Sequence, residues 1–252
     1  MKIIEPCYEI LTPISSGGKD ELQRIEKIAR VCYKSEDRIT EDGESAKKML
    51  KMLIERGHEA MIEHSSLSVK LTVDRGVSHE LVRHRIASFA QESTRYCNYS
   101  KDKFDNNVTF ISPAGGFIFE KLEKFPLNGE YAVTAGEISA GIDPAIFMAI
   151  WQNAMENAEC GYLKAIENGA TPQIARSMLP NSVKTEITIT ANYREWRNIF
   201  KLRTAKSAHP QMRQVMIPLC LELQKLLPVI FDNINIPTEN RNGTIWSSTY
   251  SL

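Results

Sequence analysis

The chain of 252 residues carries 31 Lys+Arg against 31 Asp+Glu, with 42% hydrophobic and 25% charged residues. That length supports one large core without a disulfide or metal staple, and the composition excludes a disordered or collagen-like chain. Balanced charge excludes bulk attraction to nucleic acid, so recognition of an anion has to come from a local basic pocket.

Residues 3–11 read as a strand with Pro6 at a sheet edge, because proline has no amide proton to give a central ladder. The spacing of Leu22, Ile25, Ile28, Ala29 and Cys32 predicts a helix over 20–33. Met49, Leu50, Met52 and Leu53 predict a second over 45–56, capped by Ser45 and stopped at Gly57. Leu67, Val69, Leu71 and Val73 alternate with polar residues, which predicts a strand over 65–74 with one buried face. A short helix over 75–82 leads into a basic run at 83–96. Residues 97–130 read mostly as loop, with a strand at 107–111 and a helical turn at 117–122. Helices are expected over 144–168, 172–177, 194–202 and 211–226, the last kinked at Pro218 and ended by Pro228. A strand is expected over 184–191, where Ile187 and Ile189 alternate with threonines.

Strands that each run into a helix point to an α/β or α+β fold, with one domain over 1–235 and a polar tail over 236–252. The apolar stripes on 144–168 and 211–227 exceed what one subunit should expose, which predicts self-association. Cys7, Cys32, Cys97, Cys160 and Cys220 form no CxxC pair and read as reduced thiols, with Cys32 and Cys220 buried on helix stripes. Glu5 and Glu9 break the N-terminal apolar run, and the uncharged stretch 145–151 is too short for a bilayer, so a cytoplasmic protein with no membrane partner is expected.

Three groups could carry chemistry. Arg83, His84, Arg85 and Arg95 lie among Ser88, Ser93 and Thr94, and planar guanidinium forks beside hydroxyls suit a phosphate or a pyrimidine edge. The same residues also read as a basic turn ion-paired to Glu80 and Glu92. His58, Glu63 and His64 lack the H-E-x-x-H spacing of a metalloprotease, so no metal is expected; they read as a structural junction or as contacts to a planar ligand. Arg176, Asn192, Arg194, Glu195, Arg197, Asn198 and Arg203 follow or flank the second strand, where a sheet hands side chains to a cleft, or they decorate a solvated helix face. No GxGxxG, GxxxxGK[ST] or GxSxG is present, and no cysteine stands out as a nucleophile.

The run RHRIASFAQESTRY resembles the RHRxxSxNxxSxR motif of the flavin-dependent thymidylate synthases, with Arg83, His84, Arg85, Ser88, Ser93 and Arg95 in register. HEAMIEHSSLSVKL and LPNSVKTEITITANYREWRNIFKLR resemble two further segments of that family. The resemblance implies a twisted, mainly antiparallel sheet flanked by helices, assembled as a homotetramer with active sites at subunit junctions. It implies reductive methylation of dUMP to dTMP, with 5,10-methylenetetrahydrofolate as one-carbon donor, NADPH as reductant and FAD as cofactor.

Carried over by position, the FAD contacts implied are His58, Arg83, His84, Arg85, Ile86, Asn192, Arg194, Asn198 and Leu202. The dUMP contacts implied are Glu80, Gln91, Ser93, Arg95, Arg176 and Arg203, with Arg203 at the uracil ring and Arg203 and His58 as the catalytic pair. Ala90 stands where the motif has Asn, Gln91 where an acid is common, and Glu80 where a glutamine is common; His84 or Arg83 is the expected partner of Glu80. The competing readings are another FAD-dependent pyrimidine-modifying enzyme and a nucleotide- or RNA-binding module. The second lacks a stacking series of aromatics and a broad positive track.

Overall fold

The computed structural model describes residues 1–113 and 144–236. The helical turn expected over 117–122 lies outside them, as does the tail from 237 on; Ile236, expected in that tail, packs against the main core. In chain order the first part forms β1 (Lys2–Ile4), β2 (Cys7–Ile10), α1 (Lys19–Tyr33), α2 (Glu44–Glu55), β3 (Ser66–Asp74), α3 (Arg75–Leu81), β4 (Ala87–Gln91) and β5 (Thr109–Ile111). The second part forms α4 (Pro144–Glu167), α5 (Pro172–Ala175), β6 (Lys184–Asn192), α6 (Tyr193–Arg203), α7 (Pro210–Leu226) and α8 (Pro228–Phe231).

The two alternating segments become the centre of a four-stranded antiparallel sheet of order β2-β3-β6-β4. Their register opposes Leu67 to Ala191, Val69 to Ile189 and Leu71 to Ile187, so one face is apolar and buried. On the other face Ser68 and Thr190 share a hydroxyl contact of 2.8 Å. The strand expected over 3–11 is broken at Pro6: β2 joins the main sheet, while β1 pairs in parallel with β5. The fold is therefore mixed α/β, with a parallel pair beside the antiparallel sheet.

Helices α1, α2, α6, α7 and α8 cover the buried face, and Trp196, Phe200, Met216, Leu223 and Phe231 fill the core with no exposed surface. The apolar stripe of α7 is consumed inside the subunit, so it does not supply the surplus expected for assembly; Ile146 and Ile150 on α4 remain exposed. The helix continues through Pro218. Ser45 is not the cap of α2. Gly43 adopts φ 83° ahead of the helix, and the Ser45 hydroxyl donates to Glu26 while accepting from the Thr40 amide. Cys32 is exposed because α1 runs past its core face there, whereas Cys220 is buried and its thiol is pushed up to about 12. A second, smaller core joins Tyr99, Val108, Phe110, Trp151, Tyr162 and Val183. Among the described residues no helix is long and apolar enough to cross a membrane.

Candidate active site

Each central strand ends in a side-chain cap that starts a helix. Asp74 accepts from the Val77 amide at 2.6 Å to begin α3, and Asn192 accepts from the Glu195 amide at 2.8 Å to begin α6. The last turn of α6 meets the last turn of α3 and the turn after it, and there the charged side chains converge. Arg203 donates from Nη1 to Glu80 Oε2 at 2.8 Å, from Nη2 to the Glu80 carbonyl at 2.9 Å and from Nε to His84 Nε2 at 3.0 Å. The partner of Glu80 is therefore Arg203, not His84 or Arg83. Helix geometry explains the difference: α3 ends at Leu81, so the residues after it leave the face that Glu80 occupies.

His84 Nδ1 lies 3.0 Å from Glu195 Oε1, and both residues are buried, at 6% and 7% exposure. Burial holds the His84 imidazole below its usual range, against the opposing pull of Glu195. Asn198 directs its amide to both Glu195 oxygens.

These residues line a cavity of about 830 Å³ whose wall includes Glu80, Arg83, His84, Arg85, Leu202 and Arg203. A neighbouring cavity of about 770 Å³ shares Ile86, Glu195 and Asn198 with it and adds Asn192 and Arg194. Arg83 and Arg85 are exposed and have no ion pair among the described residues. Ile86 and Leu202, at 69% and 51% exposure, give the same walls apolar surface. Arg194 is paired with Glu63 and Glu59. His58 is exposed, its ring makes no hydrogen bond with the described residues, and it lines neither cavity.

The remaining residues expected to touch dUMP form a second group. Ser93 accepts from the Arg95 amide, Arg95 Nε donates to Gln173 at 2.9 Å, and Arg176 reaches Thr94 at 3.5 Å. Arg95 and Arg176 are exposed. Glu92, beside Ser93, is held by Tyr99 at 3.0 Å and by Lys184 at 2.9 Å, which anchors the base of this loop. None of Gln91, Ser93, Arg95 and Arg176 lines either cavity.

The departures from the motif have local reasons. Gln91 donates to Ser78 Oγ at 2.9 Å and to Thr185 Oγ1 at 3.2 Å. Because the Ser78 hydroxyl already donates to the Arg75 carbonyl, it has to accept, which an amide permits and a carboxylate does not. Ala90 lies on the exposed face of β4, an edge strand. Sequence reasoning missed the position of Glu195. The signal was the Asn192-x-x-Glu195 spacing of a helix start, although Glu195 turns to His84 instead of closing a capping box.

The family described as "Thymidylate synthase complementing protein" matches residues 15–229. The chain belongs to this family, that of the flavin-dependent thymidylate synthases. It is 28% identical over 239 residues to the "Flavin-dependent thymidylate synthase" of Corynebacterium aurimucosum, covering 94% of this chain and 90% of that one. It is 29% identical over 213 residues to the protein of that name from Mycobacterium sp. (strain JLS), covering 84% of this chain and 79% of that one. In fold it is similar to a UMP/dUMP methylase, PolB, from Streptomyces cacaoi, with a TM-score of 0.68, 23% identity and coverage of 92% and 96%.

Proposed function

We propose that the chain is a methyltransferase that converts dUMP to dTMP, taking the one-carbon unit from 5,10-methylenetetrahydrofolate and reducing equivalents from NADPH, and releasing tetrahydrofolate. Support comes first from Arg203. A guanidinium has five N–H donors. Three of them are engaged by Glu80 and His84, which leaves two in a fixed plane at the wall of the cavity. Such a fork suits the carbonyl edge of a uracil and stabilises negative charge that develops on the ring during attack.

The cavity walls fit FAD. Arg83 and Arg85 offer unpaired charge for its phosphates, Ile86 and Leu202 offer apolar surface for its ring system, and Asn198 offers amide contacts. FAD supplies the two-electron redox chemistry when bound. His84 serves this cavity by holding the Glu195 and Arg203 side chains, Asn192 by capping the Glu195 amide in the first turn of α6, and Arg194 through its pairs with Glu59 and Glu63. His58, with its free ring, is assigned to the flavin edge. Ser93, Arg95 and Arg176 grip the nucleotide phosphate, and Glu80 and Gln91 act through Arg203 and Ser78.

The two groups share neither cavity within a subunit, so the proposal includes a homotetramer in which Ser93, Arg95 and Arg176 of one copy face Arg203 of another. The reading places a cytoplasmic enzyme with small-molecule partners and assigns it no nucleic-acid or membrane partner. Purified protein should be yellow and release FAD on denaturation. Anaerobic reduction by NADPH, followed by dUMP and methylenetetrahydrofolate, should yield dTMP. Bound flavin without dTMP would favour another pyrimidine-modifying flavoenzyme, and a colourless protein that cannot be reconstituted would favour a nucleotide-binding module.

A further inference from the structure

We infer that Glu195 is a positioning residue for Arg203, acting through His84: its carboxylate keeps the imidazole proton on Nδ1, so that bare Nε2 accepts from Arg203 Nε and fixes the guanidinium plane. The geometry permits one proton arrangement. Arg203 Nε can only donate, so the His84 Nε2 that lies 3.0 Å from it has to be a lone pair. The ring proton is then on Nδ1, which lies 3.0 Å from Glu195 Oε1, its one hydrogen-bond acceptor among the described residues. Glu195 is itself fixed by its place in the first turn of α6, where the Asn192 cap holds its amide, and by Asn198. A buried carboxylate, a neutral imidazole and an arginine thus form a directed chain that ends at the cavity. Glu80 holds the other nitrogens of Arg203, so the fork is clamped from α3 and from the His84 turn together.

Protonation of His84 would put an N–H on Nε2 facing the Arg203 N–H, and the clamp would open. Among the described residues, the charged and titratable groups that line the cavity with the ring are Glu195 and Arg203 of α6, Glu80 of α3, Arg83 and Arg85 of its own turn, and His209 ahead of α7. Burial first, and Arg203 after it, disfavour the imidazolium, while Glu195 favours it. Glu195 therefore orients the ring at the cost of making it easier to protonate.

The inference rests on the proposed role of Arg203 at uracil, so its first readout needs no substrate. Nitrogen-15 spectra of histidine-labelled, FAD-loaded protein should show His84 protonated at Nδ1 and bare at Nε2 at pH 7. Glu195→Gln keeps an oxygen acceptor and should keep that tautomer, whereas Glu195→Leu should lose it and lower turnover by about tenfold or more with FAD content unchanged. In Glu195→Gln the acid limb of turnover should move to lower pH than in the parent, because the charge that favours imidazolium is gone. That variant carries the test if Glu195→Leu does not fold. A parent Nε2–H tautomer, an unmoved or raised acid limb in Glu195→Gln, or parent tautomer and turnover in Glu195→Leu would overturn the inference. Absence of dTMP formation by the parent, with the tautomers as stated, would overturn the methylation reading alone.

Discussion

The two arginine groups are built in opposite ways. Arg203 sits in a half-buried socket, with its donors committed to a carboxylate, a backbone carbonyl and an imidazole whose own partner is buried. Arg95 and Arg176 stand on an anchored loop and a short helix but end in solvent, tied to Gln173 and Thr94. A half-buried socket that engages three of the five donors defines a direction for the other two before ligand arrives, while exposed guanidinia become defined only when an anion or another subunit meets them. The first group is suited to orienting a ring, and the second to capturing a phosphate.

The largest effect that would break this contrast belongs to the socket. Arg203→Lys keeps the charge but loses the planar fork, so dTMP formation in an anaerobic single turnover should fall by about 10²-fold, with flavin reduction largely retained. Parent rates and parent dUMP affinity would make Arg203 a structural ion pair with Glu80. Next comes the exposed group. Arg95→Ala should raise the dUMP dissociation constant by about tenfold, measured by titration of the flavin spectrum, while thermal stability stays within about 0.5 kcal/mol. Loss of FAD or of stability with it would mean that Arg95 organises the fold.

The motif and its spacing made the family legible, because Arg83, His84, Arg85, Ser93 and Arg95 lie in one run; the alternation of 65–74 and 184–191 likewise gave the two central strands. What stayed hidden depended on packing between distant segments. Glu80 and Arg203 are 123 residues apart in sequence, and His84 and Glu195 are 111 apart, so no local pattern announces either pair. The break at Pro6 was readable as an edge, but the transfer of β1 to β5 was not, since strand partners are set by the tertiary core. Cys32 and the α7 stripe show the same limit: periodicity names a face without saying what covers it.

Smaller effects sharpen the contrast through the helix starts. Asn192→Ala removes the cap that sets the first turn of α6 and should lower unfolding stability by about 1 kcal/mol in denaturant titration, with turnover falling too because Glu195 loses its anchor. Unchanged stability would mean water replaces the cap. Asp74 is the milder case. Burial raises its carboxyl above the usual range, so the folded state binds the proton more readily than the unfolded chain. Its contribution to stability is thus fullest below the unfolded value near 3.8 and is lost as pH rises through the folded one. Asp74→Asn retains a capping oxygen without that charge, so it should cost no more than about 0.5 kcal/mol at pH 7 and should flatten this part of the pH dependence. A steeper dependence would contradict the assignment.

Mixing variants tests whether the two arginine groups complete one site across a subunit boundary. Arg95→Ala and Arg203→Ala proteins are each assayed alone at limiting dUMP, where the first should keep about a tenth and the second almost none of parent activity, then mixed in equal amounts, allowed to exchange subunits and assayed for dTMP again. If the groups come from different copies, random exchange creates sites with both arginines, and about a quarter of parent activity should return. If both arginines of a site belong to one chain, every site in the mixture lacks one of them. No recovered activity after demonstrated subunit exchange would contradict the account.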